Sequence, residues 1–144
     1  MFIRKPALLL SLLLASLLPL SAAAERLPTT SPGPDAARII GSPGYAGRDL
    51  FEVNFLAING RNIPPRHIIW LEPGTYQITV QIDAAHVMPP QRRLPQRAPG
   101  HNVIELELEA GKSYRILARY NRDEPDQSFS VILYSVDEMF GTEE

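Results

Sequence analysis

The chain has 144 residues, 44% of them apolar, no cysteine and a formal net charge of −2, so it holds one domain of ordinary size that rests on buried apolar surface and not on disulfides. Taking away Arg4 and Lys5, which precede an apolar leader, leaves 12 Lys and Arg against 16 Asp and Glu, a balance of −4. That balance gives no general attraction to nucleic acid or anionic lipid, and neither is expected as a partner.

Residues 1–24 fall into the three zones of a secretion signal: a basic start with Arg4 and Lys5, an apolar run from Ala7 to Leu20, and small residues from Ser21 to Ala24. As a helix the run reaches only ~21 Å, short of a hydrocarbon core of roughly 30 Å, which predicts removal and no lasting membrane insertion. Ala22 and Ala24 suit the small-x-small rule of signal peptidase, placing cleavage after Ala24. Without a cysteine no lipid can be attached at that point, and the predicted destination is the periplasm or the exterior of a bacterium.

Residues 25–48 are rich in Pro, Gly, Ser and Thr around Ser31-Pro32-Gly33-Pro34, a composition that reads as a flexible segment. Only Ala37 to Ile40 interrupts it, with enough apolar character for an edge strand. From Asp49 the texture changes to short alternating runs divided by turn residues, and a β domain is expected over 49–138, followed by an acidic tail over 139–144. Leu50 to Ile58 leads, with Phe51, Val53, Phe55 and Ala57 on one face, and ends at the hairpin dipeptide Asn59-Gly60. A short return strand should stop at Pro64-Pro65. His67 to Leu71 then enters Pro73-Gly74, read as a second hairpin turn.

The next run has the cleanest period of two, with Tyr76, Ile78, Val80 and Ile82 against Gln77, Thr79, Gln81 and Asp83. Val103 to Leu108 places Ile104, Leu106 and Leu108 inward and Glu105, Glu107 and Glu109 outward, and Gly111-Lys112 turns the chain into Tyr114, Ile116, Ala118 and Tyr120. In the last run, Ser128 to Val136, both faces are largely apolar, which predicts a central or covered strand. The fold class that follows is all-β: an antiparallel β-sandwich of the immunoglobulin-like or prealbumin-like kind, or a small barrel, of about seven strands.

One motif recurs. Leu71-Glu72-Pro73-Gly74-Thr75-Tyr76-Gln77-Ile78 returns as Leu108-Glu109-Ala110-Gly111-Lys112-Ser113-Tyr114-Arg115-Ile116, with one residue more after the glycine. In this motif, and in the Asn59-Gly60 turn before it, the chain from Leu50 to Tyr120 resembles the prealbumin-like and PEGA-like β-sandwich modules of bacterial envelope proteins. The resemblance implies attachment or recognition more than chemistry.

Chemistry has little to rest on. No serine sits in a Gly-x-Ser-x-Gly elbow, and His67, His86 and His101 lie 19 and 15 residues apart, without the spacing that converges ligands on a metal. Neither a catalytic group, a metal nor a cofactor is expected. Glu105, Glu107 and Glu109 form a carboxylate row on one strand face, better suited to solvation than to enclosing an ion. Trp70, between Ile69 and Leu71, reads as core or sheet packing.

The most unusual stretch is Ala84 to His101, an 18-residue connection with four prolines, three arginines, two histidines and no acid. Arg92, Arg93, Arg97 and His101 are the expected partner contacts, gripping a carboxylate or phosphate on an envelope protein or polysaccharide. The expected function is thus a non-enzymatic, exported binding module. Two alternatives stand behind it: a small-ligand carrier with a cavity between the layers lined by Tyr76, Tyr114 and Trp70, and a hydrolase with a scattered site.

Overall fold

A computed structural model describes residues 26–84, 100–124 and 127–140, all strands, turns and loops apart from one short 3-10 turn. The strands are β1 (Ala37–Ile40), β2 (Leu50–Phe51), β3 (Val53–Ile58), β4 (Arg61–Arg66), β5 (Ile68–Leu71), β6 (Gly74–Ile82), β7 (Val103–Leu108), β8 (Lys112–Tyr120) and β9 (Phe129–Glu138). They form two layers, β4-β3-β6-β7 and β5-β1-β8-β9, with β2 running beside β8 past the end of β1. The all-β, sandwich-like class expected from the alternating runs is the one observed.

Between the layers lie Phe55, Phe129, Ile39, Ile58, Leu71, Ile78, Leu108 and Ile116, all essentially without solvent contact. The period of two decides which side chains enter: Tyr76, Ile78, Val80 and Ile82 are buried while Thr75, Gln77 and Gln81 are exposed. Thr79 is buried as well, although the alternation assigns it to the wet face.

Several expectations need correction. The 25–48 segment is not a free tether from Pro28 onward. Its residues run along the edge of β5, where Thr30 N–H donates to the Trp70 carbonyl (3.0 Å) and Glu72 N–H to that of Pro28 (2.9 Å). Its apolar cluster, β1, is no edge strand: it sits between β5 and β8, antiparallel to one and parallel to the other. Local composition misled because four residues suffice for a strand when neighbours on both sides satisfy its backbone groups.

The run from Leu50 to Ile58 changes layers at Glu52, so that β2 pairs with β8 and β3 with β6. At this corner Val53 N–H donates to the Gly41 carbonyl (3.0 Å). A Cβ on Gly41 would collide with the Val53 carbonyl oxygen, so the two backbones meet there only because one residue has no side chain. The return strand β4 continues through Pro64-Pro65, which an edge strand tolerates where a bulge interrupts its pairing with β3. Among the described residues β9 stands at an edge, paired with β8.

The two copies of the repeated motif are not hairpins either. Leu71 ends β5 in one layer and Gly74 starts β6 in the other, while the second copy carries the chain back from β7 to β8. The crossings lie side by side, since Gly74 pairs with Leu108. Each is held by its tyrosine: Tyr76 O–H donates to the Glu72 carbonyl (2.6 Å), and the Tyr114 hydroxyl accepts from Glu109 N–H (2.8 Å). Burial pushes the Tyr76 phenol above its ordinary pKa, with the Glu72 charge adding to the effect, which keeps its proton available for the bond.

Tyr76→Phe and Tyr114→Phe keep the ring and remove one such bond, so each should cost about 0.5–1.5 kcal/mol in denaturant unfolding with an unchanged m-value. A loss below a few tenths of a kcal/mol at both positions would show that the hydroxyls do not hold the crossings.

Candidate functional site

The five-stranded layer has a core face and an outer face, and the outer one gathers arginine and aromatic side chains. In β8, Tyr114, Ile116 and Ala118 enter the core, which turns Ser113, Arg115, Leu117 and Arg119 outward. Register extends these positions into rows: Trp70, Arg38, Ser113 and Asp137 in one, Ile68, Ile40, Arg115 and Ser135 in the next. Arg38 and Arg115 thus stand one strand and two residues apart, roughly 8 Å between Cα atoms by sheet geometry.

Each arginine is positioned. Arg38 Nε donates to Ser113 Oγ (3.0 Å) and its guanidinium lies 5.7 Å from the centre of the Trp70 ring. Arg115 Nη1 donates to the Tyr45 hydroxyl (3.1 Å), and its guanidinium lies 6.0 Å from the Tyr134 ring. Tyr45 and Tyr134 pack at 5.5 Å, and Arg48 lies 5.9 Å from Tyr45. Tyr45 reaches this place because the loop from Tyr45 to Leu50 is closed by two backbone bonds, Tyr45 N–H to Leu50 O (2.7 Å) and Leu50 N–H to Tyr45 O (3.1 Å), around the 3-10 turn Ala46–Arg48.

The electrostatics follow from what these arginines lack. Among the described residues the ion pairs are Lys112 with Glu109 and Arg122 with Asp49; Arg38, Arg48, Arg115 and Arg119 have no carboxylate partner. Arg115 Nε is buried without any hydrogen bond, an unmet donor that costs free energy in the free protein. Asp137, at the end of the first row, is the acid nearest to this face by register. Ile68, 50% exposed, adds apolar surface beside it. Guanidinium groups on aromatic faces keep their outer N–H donors free for a planar anion, while the rings offer a surface for C–H groups.

Of the residues expected to meet a partner, Arg92, Arg93 and Arg97 lie outside the described residues. His101 is only 6% exposed, so the ring is not on the surface. It sits in the turn that ties β7 to β9, where Val131 N–H donates to the Gly100 carbonyl (3.2 Å), and its Nε2 has no partner. Burial lowers its pKa, against a weaker opposing effect of a hydrogen bond with the Phe129 backbone. Tyr76 and Tyr114 are packed in the core, and Trp70 faces the other way, so the three do not line one cavity. Clefts bordered by described residues open at the surface: one of about 240 Å³ beside Leu50 and Glu52, one of about 480 Å³ under residues 30–36 and one of about 130 Å³ between Leu27, Ile63 and Ile69.

Sequence reasoning missed Arg38, Arg115, Tyr45 and Tyr134. The alternation in β8 identifies Arg115 and Arg119 as outward, but nothing local brings Trp70 beside Arg38 or Tyr45 over Arg115. Compared with family models, with curated proteins and with solved structures, the chain matches none.

The buried, neutral His101 makes stability depend on pH. Its folded pKa lies below the unfolded value of 6.5, so its contribution is complete above that value and is lost as pH falls from there toward the folded pKa. Thermal melts should show a decline beginning near pH 6.5 that is absent in His101→Gln. The Asp49–Arg122 pair holds the Asp49 carboxyl below 3.8, so its contribution is lost only at more acidic pH. A wild-type curve flat from pH 7 to 5 would contradict the assignment.

Proposed function

We propose that this chain is an exported, non-enzymatic binding module of the bacterial envelope that holds an acidic polysaccharide on the outer face of its five-stranded layer. One observation carries the reading: Arg38, Arg48 and Arg115 each lie over an aromatic ring and have no carboxylate partner among the described residues. In a protein with more acids than bases, arginines that form no ion pair among the described residues, even with Asp137 at the end of their row, favour an anion from outside. A uronic-acid chain supplies both parts of the complement, a carboxylate for the guanidinium fork and sugar C–H faces for Trp70, Tyr45 and Tyr134. The export signal in residues 1–24 supports the location, and the resemblance to prealbumin-like and PEGA-like modules implies the same kind of role. Arg61 and Arg66 on β4 provide a comparison, being arginines of the opposite layer.

Recovered from the envelope fraction, the protein should begin at Glu25. An N-terminus at Met1 would remove the signal from the argument.

Binding is tested with polygalacturonate against neutral dextran. Arg38→Ala and Arg115→Ala should each weaken polygalacturonate binding about tenfold, or about 1.4 kcal/mol, and Arg61→Ala should not. Arg38→Lys should fall between, keeping the charge and losing the planar fork. Raising salt from about 0.1 to 1 M, which shortens the screening length from about 10 to 3 Å, should weaken binding strongly. Equal binding of dextran, or of the wild type and both alanine variants, refutes the reading.

A further inference from the structure

A sandwich with two open layers has four edge strands, and each exposes a row of backbone donors and acceptors that invites another strand. Three of the four are blunted here. β4 carries Pro64-Pro65 between Arg61 and Arg66. β5 is covered by the segment from Pro28 to Thr30. β7 is six residues long and turns Glu105 and Glu107 to solvent.

The fourth, β9, differs. It is ten residues long and pairs with β8 on one side. Its other side is engaged near its start, where Val131 N–H meets the Gly100 carbonyl; from Leu133 to Glu138 no described strand lies beside it. Five large apolar residues are exposed among the described residues, and three belong to this edge or the turn after it: Leu133 at 38%, Val136 at 44% and Phe140 at 50%. The apolar surface is therefore concentrated where no described strand pairs with the backbone.

We propose that β9 pairs antiparallel with β9 of a second copy of this chain, joining two five-stranded layers into one continuous sheet. The occupant follows from charge and symmetry. An antiparallel pair of identical strands has a two-fold axis through a residue opposite itself. Centred on Ser135, the pairing sets Asp137 opposite Leu133 and Glu138 opposite Ile132; centred on Val136, it sets Asp137 opposite Ser135 and Glu138 opposite Tyr134. In both registers the acids avoid one another and meet neutral residues. A centre at Asp137 would oppose two carboxylates, and like charges directly opposite are destabilising. Glu138 already stands opposite Lys112 in β8, which lowers the charge it brings to the junction. The inference stands on the edge alone and does not depend on what the outer face binds.

The test uses the exported full chain in sedimentation equilibrium over a range of concentrations. The wild type should shift from monomer to dimer, and Val136→Lys, which places a charge at the junction, should remain monomeric with its thermal melt preserved. Because the chain has no cysteine, a second arm is available. A cysteine on the two-fold axis, Ser135→Cys in one register and Val136→Cys in the other, should form an interchain disulfide on oxidation, since facing residues of an antiparallel pair lie within disulfide reach, whereas Asn62→Cys on β4 should not. Should Val136→Lys fail to fold, the cysteine pair decides alone. The proposal is overturned by a wild type that stays monomeric at every concentration, whether the edge is bare or another segment lies on it. A dimer unaffected by Val136→Lys, or cross-linking that is no faster at either 135 or 136 than at 62, overturns it equally.

Discussion

The structure depends on the place where the chain passes twice between its layers. Leu71 to Gly74 carries it from one sheet to the other and Leu108 to Lys112 brings it back, the two passages touching through the Gly74–Leu108 pair. Each needs a backbone that leaves one sheet without stranding its polar groups, and each meets that need with a tyrosine hydroxyl bonded to the backbone of a glutamate. The leucine before the turn and the tyrosine after it are both buried, so one motif both plugs the end of the core and fixes the crossing. With β5 and β8 delivered to the same layer by these passages, a gap one strand wide lies between them. β1 fills it, Ala37 facing Leu71 and Arg38 facing both Trp70 and Ser113. Arg38 is thereby stacked on an indole that is 32 residues away along the chain.

Period-two alternation was enough to identify β6, β7 and β8 and to divide their residues between core and solvent. Exceptions are Thr79, buried between Ala57 and Val103 in the register, and Ser113 and Leu117, buried on the outward side of β8. Sheet membership was not legible. Pro73-Gly74 has the local chemistry of a hairpin turn, and nothing within four residues distinguishes a turn that returns the chain alongside itself from one that lifts it to a facing layer. β9 shows the same limit from the other side. Its two apolar faces suggested a central or a covered strand; among the described residues it is an edge strand with its outer face covered. What accounts for its outer apolar face is the Tyr45 loop, which packs against Tyr134, and the neighbouring Leu117, which is fully buried outside the main core. A loop closed by two backbone bonds covers that face, and it comes from a segment whose Pro, Gly and Ser content reads as flexible.

The charges are sorted by the same topology. Arg122 forms two bonds of 2.7 Å with Asp49, and Asp49 holds a left-handed conformation at the end of the 3-10 turn. The acid nearest to the Tyr45 loop is thereby committed to an arginine outside the rows of Arg38 and Arg115. An exposed pair of this kind adds little to stability; its consequence is that Asp49 does not neutralise the outer-face arginines, which form no ion pair among the described residues. Stacking on aromatic rings offsets part of the cost of keeping them so. Arg115 shows what remains unmet, since its Nε is both buried and unbonded.

Edge and face are joined by geometry. Side chains opposite one another in an antiparallel pair lie on the same side of the sheet, so a two-fold axis through a β9–β9 junction runs perpendicular to the layer and leaves both outer faces pointing the same way. The two sets of Arg38, Trp70, Arg115 and Tyr134 then form one continuous surface, with Arg115 separated from its counterpart by two β9 strands. Three strand spacings of about 4.8 Å put those arginines roughly 15 Å apart when their positions along the axis coincide. A monomeric anion gains nothing from such an arrangement. A polyanion long enough to span it would bind its second site as an intramolecular event, at an effective concentration that reaches the millimolar range for short spans. Weak contacts at single arginines, each open to water and screened by salt, become sufficient when a repeating ligand meets a repeating surface. Self-association and ligand length would then be thermodynamically linked, with a long chain stabilising the pair and the pair retaining the long chain.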